Sequence, residues 1–159
     1  SFPDLVVVSP DVGGIKMAHA YAQVLKTDLA IVAKRRKSPT EVEAMSVIGE
    51  IDGKTVLLVD DLTETAGTLI TAAKTLKQRG AKQIVACVSH ALLNDTGIER
   101  LRNSDIDELI TTDTVQRSAV EGVKVTTLSV AALLGEAIKR INSNSSVTSL
   151  FKFNGGMTS

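Results

Sequence analysis

An α/β fold, with a central and mainly parallel sheet flanked by helices, is the class this chain predicts. Short apolar, β-branched runs bounded by turn residues recur along it, and helical spacing fills the intervals between them. The hydrophobic content is also aliphatic: 43% of the 159 residues are hydrophobic, yet only 3% are aromatic and Trp is absent. Val, Ile, Leu and Ala in such proportion suit parallel strands buried on both faces. A chain of this length fits one domain able to bury about two-thirds of its unfolded surface.

The first strand is expected at Leu5 to Val8, and the next at Leu29 to Ala33. Four more follow at Val56 to Val59, Ile84 to Val88, Glu108 to Thr111 and Val123 to Leu128. Helices are expected over Gly14 to Lys26, Thr68 to Arg79, Asp95 to Arg102 and Ser129 to Ile141. In the second, Leu69, Ile70, Ala73 and Leu76 fall at helical spacing and Gly80 is an apt terminator; Ser129 is an apt cap for the fourth. Two segments depart from the alternation. Lys34 to Glu50 is polar and proline-containing at its start, and Asn142 to Ser159 accumulates Ser, Asn and Gly. Residues 1–153 are therefore expected to form the domain, with a disordered tail at 154–159.

Charge is balanced, with 18 basic and 18 acidic residues. A net positive field and aromatic stacking platforms are both lacking, which argues against a general nucleic-acid or acidic-membrane binder. No segment approaches the length of a membrane span, and Ser1-Phe-Pro-Asp4 shows no secretory pattern. The lone Cys87, inside Ile84-Val-Ala-Cys-Val88, reads as a small buried hydrophobe, for which a reducing cytoplasm is the simplest setting.

The most informative stretch is Thr55 to Leu69. Its apolar strand run leads into Asp60 and Asp61, at the carboxyl end where open α/β sheets bind ligands. After Leu62 and Glu64, the small residues Thr65, Ala66, Gly67 and Thr68 allow backbone to close around an anion, and the helix that follows presents its N-terminus to it. The segment reads as a sugar-phosphate site. The plainer alternative is a strand ending in a solvated acidic pair, with Thr65 or Thr68 capping the helix.

A second loop, Ser9-Pro-Asp-Val-Gly-Gly14, again sets an acidic residue and paired glycines between a strand and a helix. Gly13 and Gly14 would let backbone amides approach pyrophosphate oxygens, and Asp11 offers a hard oxygen ligand for Mg²⁺. A proline-containing turn that merely caps a helix would look the same. Lys34-Arg-Arg-Lys37, following the second strand, is either a solvated charged face or a cationic arm for transferring phosphoryl groups. His90 could act as an acid or base or lead a helix structurally, and His19 reads as a helix-surface residue; two histidines make a zinc site an unfavoured reading.

The strand, acidic pair, Thr-Ala-Gly-Thr turn and helix resemble the fingerprint of type I phosphoribosyltransferase folds, implying a three-layer α/β/α architecture. Val8-Ser-Pro-Asp-Val-Gly-Gly14, Lys34-Arg-Arg36, Ile48-Gly49, Cys87-Val-Ser-His90, Thr112-Asp-Thr114 and Ser146-Val-Thr-Ser-Leu-Phe151 extend the likeness along almost the whole chain. Together they resemble the C-terminal half of the ribose-phosphate pyrophosphokinase family. That resemblance implies transfer of the pyrophosphoryl group of ATP to the 1-hydroxyl of ribose 5-phosphate, with Mg²⁺. It casts Thr65 to Thr68 as the 5-phosphate loop, Asp60 and Asp61 as ribose binders and Asp11 as a magnesium ligand. Gly13 and Gly14 would shape the pyrophosphate loop, while Lys34 and Arg36 would stabilise the migrating group.

Glu64 departs from the family pattern, which places Asp before the Thr-Ala-Gly-Thr turn, and its greater length could re-aim the phosphate loop. The family's other half, which supplies much of the ATP pocket, is not visible here, so the chain reads as an excised domain or a fragment, inactive alone and expected to self-associate. A non-catalytic phosphoribosyl- or nucleotide-binding regulatory module would share the same motifs. So would an ordinary phosphoribosyltransferase, although no hood for a base is apparent.

Overall fold

A computed structural model describes residues 4–35, 44–115 and 121–151. Arg36 therefore lies outside the described residues, as does the tail beyond Phe151. Seven strands form one sheet in the order β3-β2-β1-β4-β5-β6-β7. In chain order they are β1 (Leu5–Ser9), β2 (Asp28–Arg35), β3 (Ala44–Ile48), β4 (Thr55–Thr63), β5 (Gln83–Ala91), β6 (Glu108–Thr112) and β7 (Val125–Leu128). β2 and β3 run antiparallel; every other neighbouring pair is parallel.

The helices are α1 (Ile15–Leu25), α2 (Gly67–Gln78), α3 (Asp95–Arg102) and α4 (Ala131–Asn142). On one face of the sheet, Ala18 and Ala22 of α1 pack against Val7 and Val59. On the other, Leu69, Ala72, Ala73 and Leu76 of α2 and Leu101 of α3 join Val6, Val8, Val56, Leu58, Ile84 and Leu109 in the larger core. Small Ala side chains let the helices approach the β-branched strand surface, where apolar area removed from water contributes about 25 cal/mol per Å². The three-layer expectation holds. Gly80, at φ +91°, ends α2 as its sequence position suggests.

Three local expectations are corrected. The polar segment from Lys34 contains β3, an edge strand in which Val32 pairs with Val47 and Lys34 with Met45. Only partly buried, β3 has no continuous apolar run to betray it. The last strand starts at Val125, two residues later than expected. Ser129 is not the cap of α4, which starts from Val130; the Asp113 carboxylate accepts the Val130 N–H at 2.9 Å, and Ser129 Oγ accepts from Ala131 at 3.3 Å.

At the far edge, Glu108 is a buried carboxylate on β6, with its side chain 10% exposed. Lys124 Nζ and the Thr126 hydroxyl each donate to it at 2.6 Å, joining β7 to the sheet. The Lys124 hydrogen bond, then that of Thr126, holds its pKa below the usual carboxylate value. A depressed folded pKa contributes stability above the unfolded value, roughly 4.3, and that contribution is lost as pH falls through the folded value. Glu108→Gln should therefore lower stability at pH 7 by about 1 kcal/mol. Thermal unfolding should show the gap from the parent narrowing at pH 3; a gap independent of pH would refute this account.

Candidate functional site

The site begins where the sheet's two central strands cease to match in length. β1 pairs with β4 only from Leu5 opposite Thr55 to Val8 opposite Leu58. β4 continues, pairing with β5 through Asp60 opposite Val88, Leu62 opposite His90 and Thr63 opposite Ala91. The acidic pair thus lies within β4 rather than past its end, along an edge that β1 no longer covers. This is also where the strand order turns, with β2 on one side of β1 and β4 on the other.

Asp60 is half-buried, and its Oδ1 accepts the Asp61 N–H at 3.0 Å. Burial raises its pKa, and the carboxylates of Asp61 and Asp11 push it in the same direction. Three acidic side chains, two from β4 and one from the loop after β1, thus share one electrostatic neighbourhood.

After β4 the chain turns into α2 through Ala66, 2% exposed and in the left-handed conformation at φ 54°, ψ 11°. The positive φ falls on Ala66 and not on Gly67, the residue whose freedom the sequence would suggest. Such a backbone costs a non-glycine residue about 1–2 kcal/mol. Neither Thr65 nor Thr68 caps the helix: among the described residues no side-chain cap hydrogen bond forms at this N-terminus. The first amides of α2 therefore carry the positive end of the helix dipole with no side-chain cap among the described residues.

In the other loop, Asp11 Oδ1 accepts N–H bonds from Gly13 at 2.8 Å and Gly14 at 3.1 Å. The buried Ser9 hydroxyl donates to the Asp11 carbonyl at 2.6 Å and fixes the turn. These two amides, expected to stand open to pyrophosphate, are occupied by the carboxylate itself. A Cβ at Gly14 would come within 2.8 Å of Ser9 Oγ, so glycine is required there for close approach.

A cleft of about 560 Å³ joins Asp11 and Lys34 to Thr65, Gly67, Thr68 and Thr71 at the start of α2, with Val12, Val32, Met45 and Pro10 at its wall; Asp60, Asp61, Gly13 and Gly14 are not in its lining. Lys34, next to last in β2 and paired with Met45 of β3, lines the same cleft as the α2 turn. Glu64 is exposed and lies apart from the cleft lining. Among the described residues no group of three or more His, Cys, Asp or Glu side chains is arranged to hold a metal ion. The donor set still fits Mg²⁺, which takes one or two carboxylates and completes its shell with water and phosphate oxygens. The mutual repulsion around Asp60 is what a cation would relieve.

Sequence reasoning placed α3 at Asp95 to Arg102, where the structure has it, but missed its contacts with the turn before α2. The Asn94 N–H donates to the Glu64 carbonyl at 3.1 Å, and Arg100 Nη1 donates to the Thr65 carbonyl at 3.2 Å. A Cβ at Gly97 would overlap the Glu64 carbonyl oxygen. A glycine inside a helical stretch is a signal of close backbone approach, and Gly97 was legible in that sense. His90, by contrast, sits 2.8 Å from the Thr114 hydroxyl, while the Thr112 hydroxyl donates to the Ser89 carbonyl at 2.7 Å; these bonds tie β5 to the chain after β6. His19 is exposed on α1. Cys87 is half-buried beside Tyr21, burial raising the thiol's pKa.

The phosphoribosyl synthetase-associated domain family matches residues 36–152. The chain belongs to that family. It is 49% identical over 153 residues to the ribose-phosphate pyrophosphokinase of Bordetella pertussis, the match covering 95% of this chain and 49% of that protein. The crystal structure of phosphoribosylpyrophosphate synthetase from Mycobacterium smegmatis superposes with a TM-score of 0.78 at 33% identity, covering 89% of this chain and 46% of that one. The APRTase of Giardia lamblia, at 22% identity and a TM-score of 0.52 over 69% of this chain, shares the fold. The chain spans about half the length of the curated relatives it matches.

The raised pKa of Asp60 means that folding disfavours its charged form, so its ionisation subtracts stability above the ordinary carboxylate pKa and stops doing so at lower pH. Asp60→Asn keeps an acceptor for the Asp61 amide and removes the charge. It should raise the thermal unfolding midpoint at pH 7, and the gain should vanish near pH 3; a lowered midpoint at pH 7 would contradict the assigned environment.

Proposed function

We propose that this chain is the C-terminal catalytic half of a ribose-phosphate pyrophosphokinase, which transfers the pyrophosphoryl group of ATP to the 1-hydroxyl of ribose 5-phosphate, giving phosphoribosyl pyrophosphate and AMP. The observation that carries this reading is the α2 N-terminus: entered through left-handed Ala66 and capped by no side chain among the described residues, it opens on the same cleft as Asp11 and Lys34. An anion-shaped turn, a carboxylate and a cation in one cleft suit a sugar phosphate and a phosphoryl donor better than either ligand alone. The names of the similar proteins agree with that chemistry.

In this reading the backbone amides from Thr65 to Thr68 hold the 5-phosphate, and Asp60 and Asp61 accept hydrogen bonds from the ribose hydroxyls. Asp11, its Oδ1 fixed by the Gly13 and Gly14 amides, offers an oxygen to Mg²⁺. When bound, Mg²⁺ neutralises phosphate charge. Pyrophosphate at this loop would share or replace the amide bonds that Asp11 holds. Lys34 stands on the cleft wall, and with Arg36 it would stabilise charge on the migrating group. Because the chain spans about half of its relatives, the adenine pocket is assigned to a second half. The 159-residue chain alone should release no AMP, and a cytoplasmic homo-oligomer is the form we assign to the complete protein.

Titration calorimetry tests the sugar-phosphate loop directly. The chain should bind ribose 5-phosphate with Mg²⁺. Gly67→Ala meets only ordinary contacts, 3.5 Å to Arg100 Nη1 and 3.6 Å to Thr65 Oγ1, so it should leave the unfolding midpoint nearly unchanged while weakening binding. Equal binding by both forms would remove the loop from the site.

The cations are tested in a full-length enzyme carrying this domain. Lys34→Ala and Arg36→Ala should each lower kcat by roughly 10³ or more, as loss of an arginine finger does, with little change in affinity for ribose 5-phosphate. Near-normal kcat for both variants would make the basic run a solvated face.

A further inference from the structure

From the contacts behind the phosphate loop we infer that Arg100 is a positioning residue, holding the Thr65 to Thr68 turn in its anion-binding shape without touching the ligand. The inference rests on the assignment of that turn in the function proposed above. Three contacts place the turn on α3. The Glu64 carbonyl accepts the Asn94 N–H, Gly97 lets the same carbonyl lie against the helix, and Arg100 Nη1 donates to the Thr65 carbonyl at 3.2 Å. Arg100 is thus the side chain that grips the peptide unit entering Ala66.

That peptide unit needs a grip. Ala66 holds a left-handed backbone that a non-glycine residue adopts only where its surroundings over-determine it, and among the described residues no side chain caps the helix to impose the turn from inside. Occupying the Thr65 carbonyl from outside orients the peptide so that the following amides face the cleft. The guanidinium lies where a longer side chain at residue 67 would stand, 3.5 Å from a Cβ there, so Gly67 admits Arg100 as well as the ligand. The competing role for Arg100 is electrostatic: it sits in the last turn of α3, where a cation complements the helix dipole. Any cation would serve that role, and its loss would register in global stability and not in the turn.

The test compares the parent chain with Arg100→Ala and Arg100→Lys. Without ligand, backbone NMR order parameters at Thr65, Ala66 and Gly67 should lie near the rigid value of about 0.85 in the parent and fall toward about 0.6 in Arg100→Ala, with partial recovery in Arg100→Lys. The unfolding midpoint should hardly move. With Mg²⁺ present, ribose 5-phosphate should bind Arg100→Ala about tenfold more weakly, the worth of one lost hydrogen bond to a charged donor. Unchanged order parameters, or a drop in the midpoint with the turn still rigid, would overturn the inference, as would parent-like affinity in Arg100→Ala. Should the parent itself fail to bind ribose 5-phosphate, the proposed function falls, and the order parameters still decide whether Arg100 sets the turn.

Discussion

Everything at the candidate site depends on β4 outrunning β1. Parallel pairing locks β4 between two neighbours as far as Leu58, and from there only β5 continues beside it. The open edge admits a ligand to main chain and carboxylates that are otherwise rigidly held. Val56, Leu58 and Val59 anchor the strand in both apolar clusters, so the acidic pair projects from one of the most fully buried parts of the molecule. A loop of the same composition would lack that rigidity.

The same placement sets up an electrostatic tension. Asp60 is drawn partly out of water and lies near two further carboxylates, an arrangement that costs the unliganded chain stability. The α2 N-terminus and Lys34 bring the opposite sign to the adjoining cleft.

Support for this arrangement comes from opposite ends of the sheet. α3 backs the phosphate turn through Asn94, Gly97 and Arg100, and its cost is a glycine inside a helix, about 1 kcal/mol relative to alanine. At the far edge the Glu108 network joins β7 to the sheet. α4 behaves differently: none of its residues is buried, and Leu133, Leu134, Ile138 and Ile141 are each more than half exposed. Among the described residues no helix is long and apolar enough to cross a membrane.

The order of strands and helices was legible in the chain wherever an element is buried on both faces. Val6 to Val8, Val56 to Val59 and Ile84 to Val88 are continuous apolar runs because water reaches neither side, and Gly80 marks a helix end because few other residues tolerate its φ. The local order of the candidate site was legible too, since an acidic pair, a small-residue turn and a helix are adjacent in sequence. Edge strand β3 was not, because a half-buried strand carries Ser and Met as readily as Val. Nor was the left-handed residue: steric preference alone points to Gly67, whereas the structure puts that conformation at Ala66, in a turn that lies against α3. The meeting of Asp11, Lys34 and Thr65 in one cleft was decided by tertiary structure, because strands distant in sequence become neighbours only through sheet order and register.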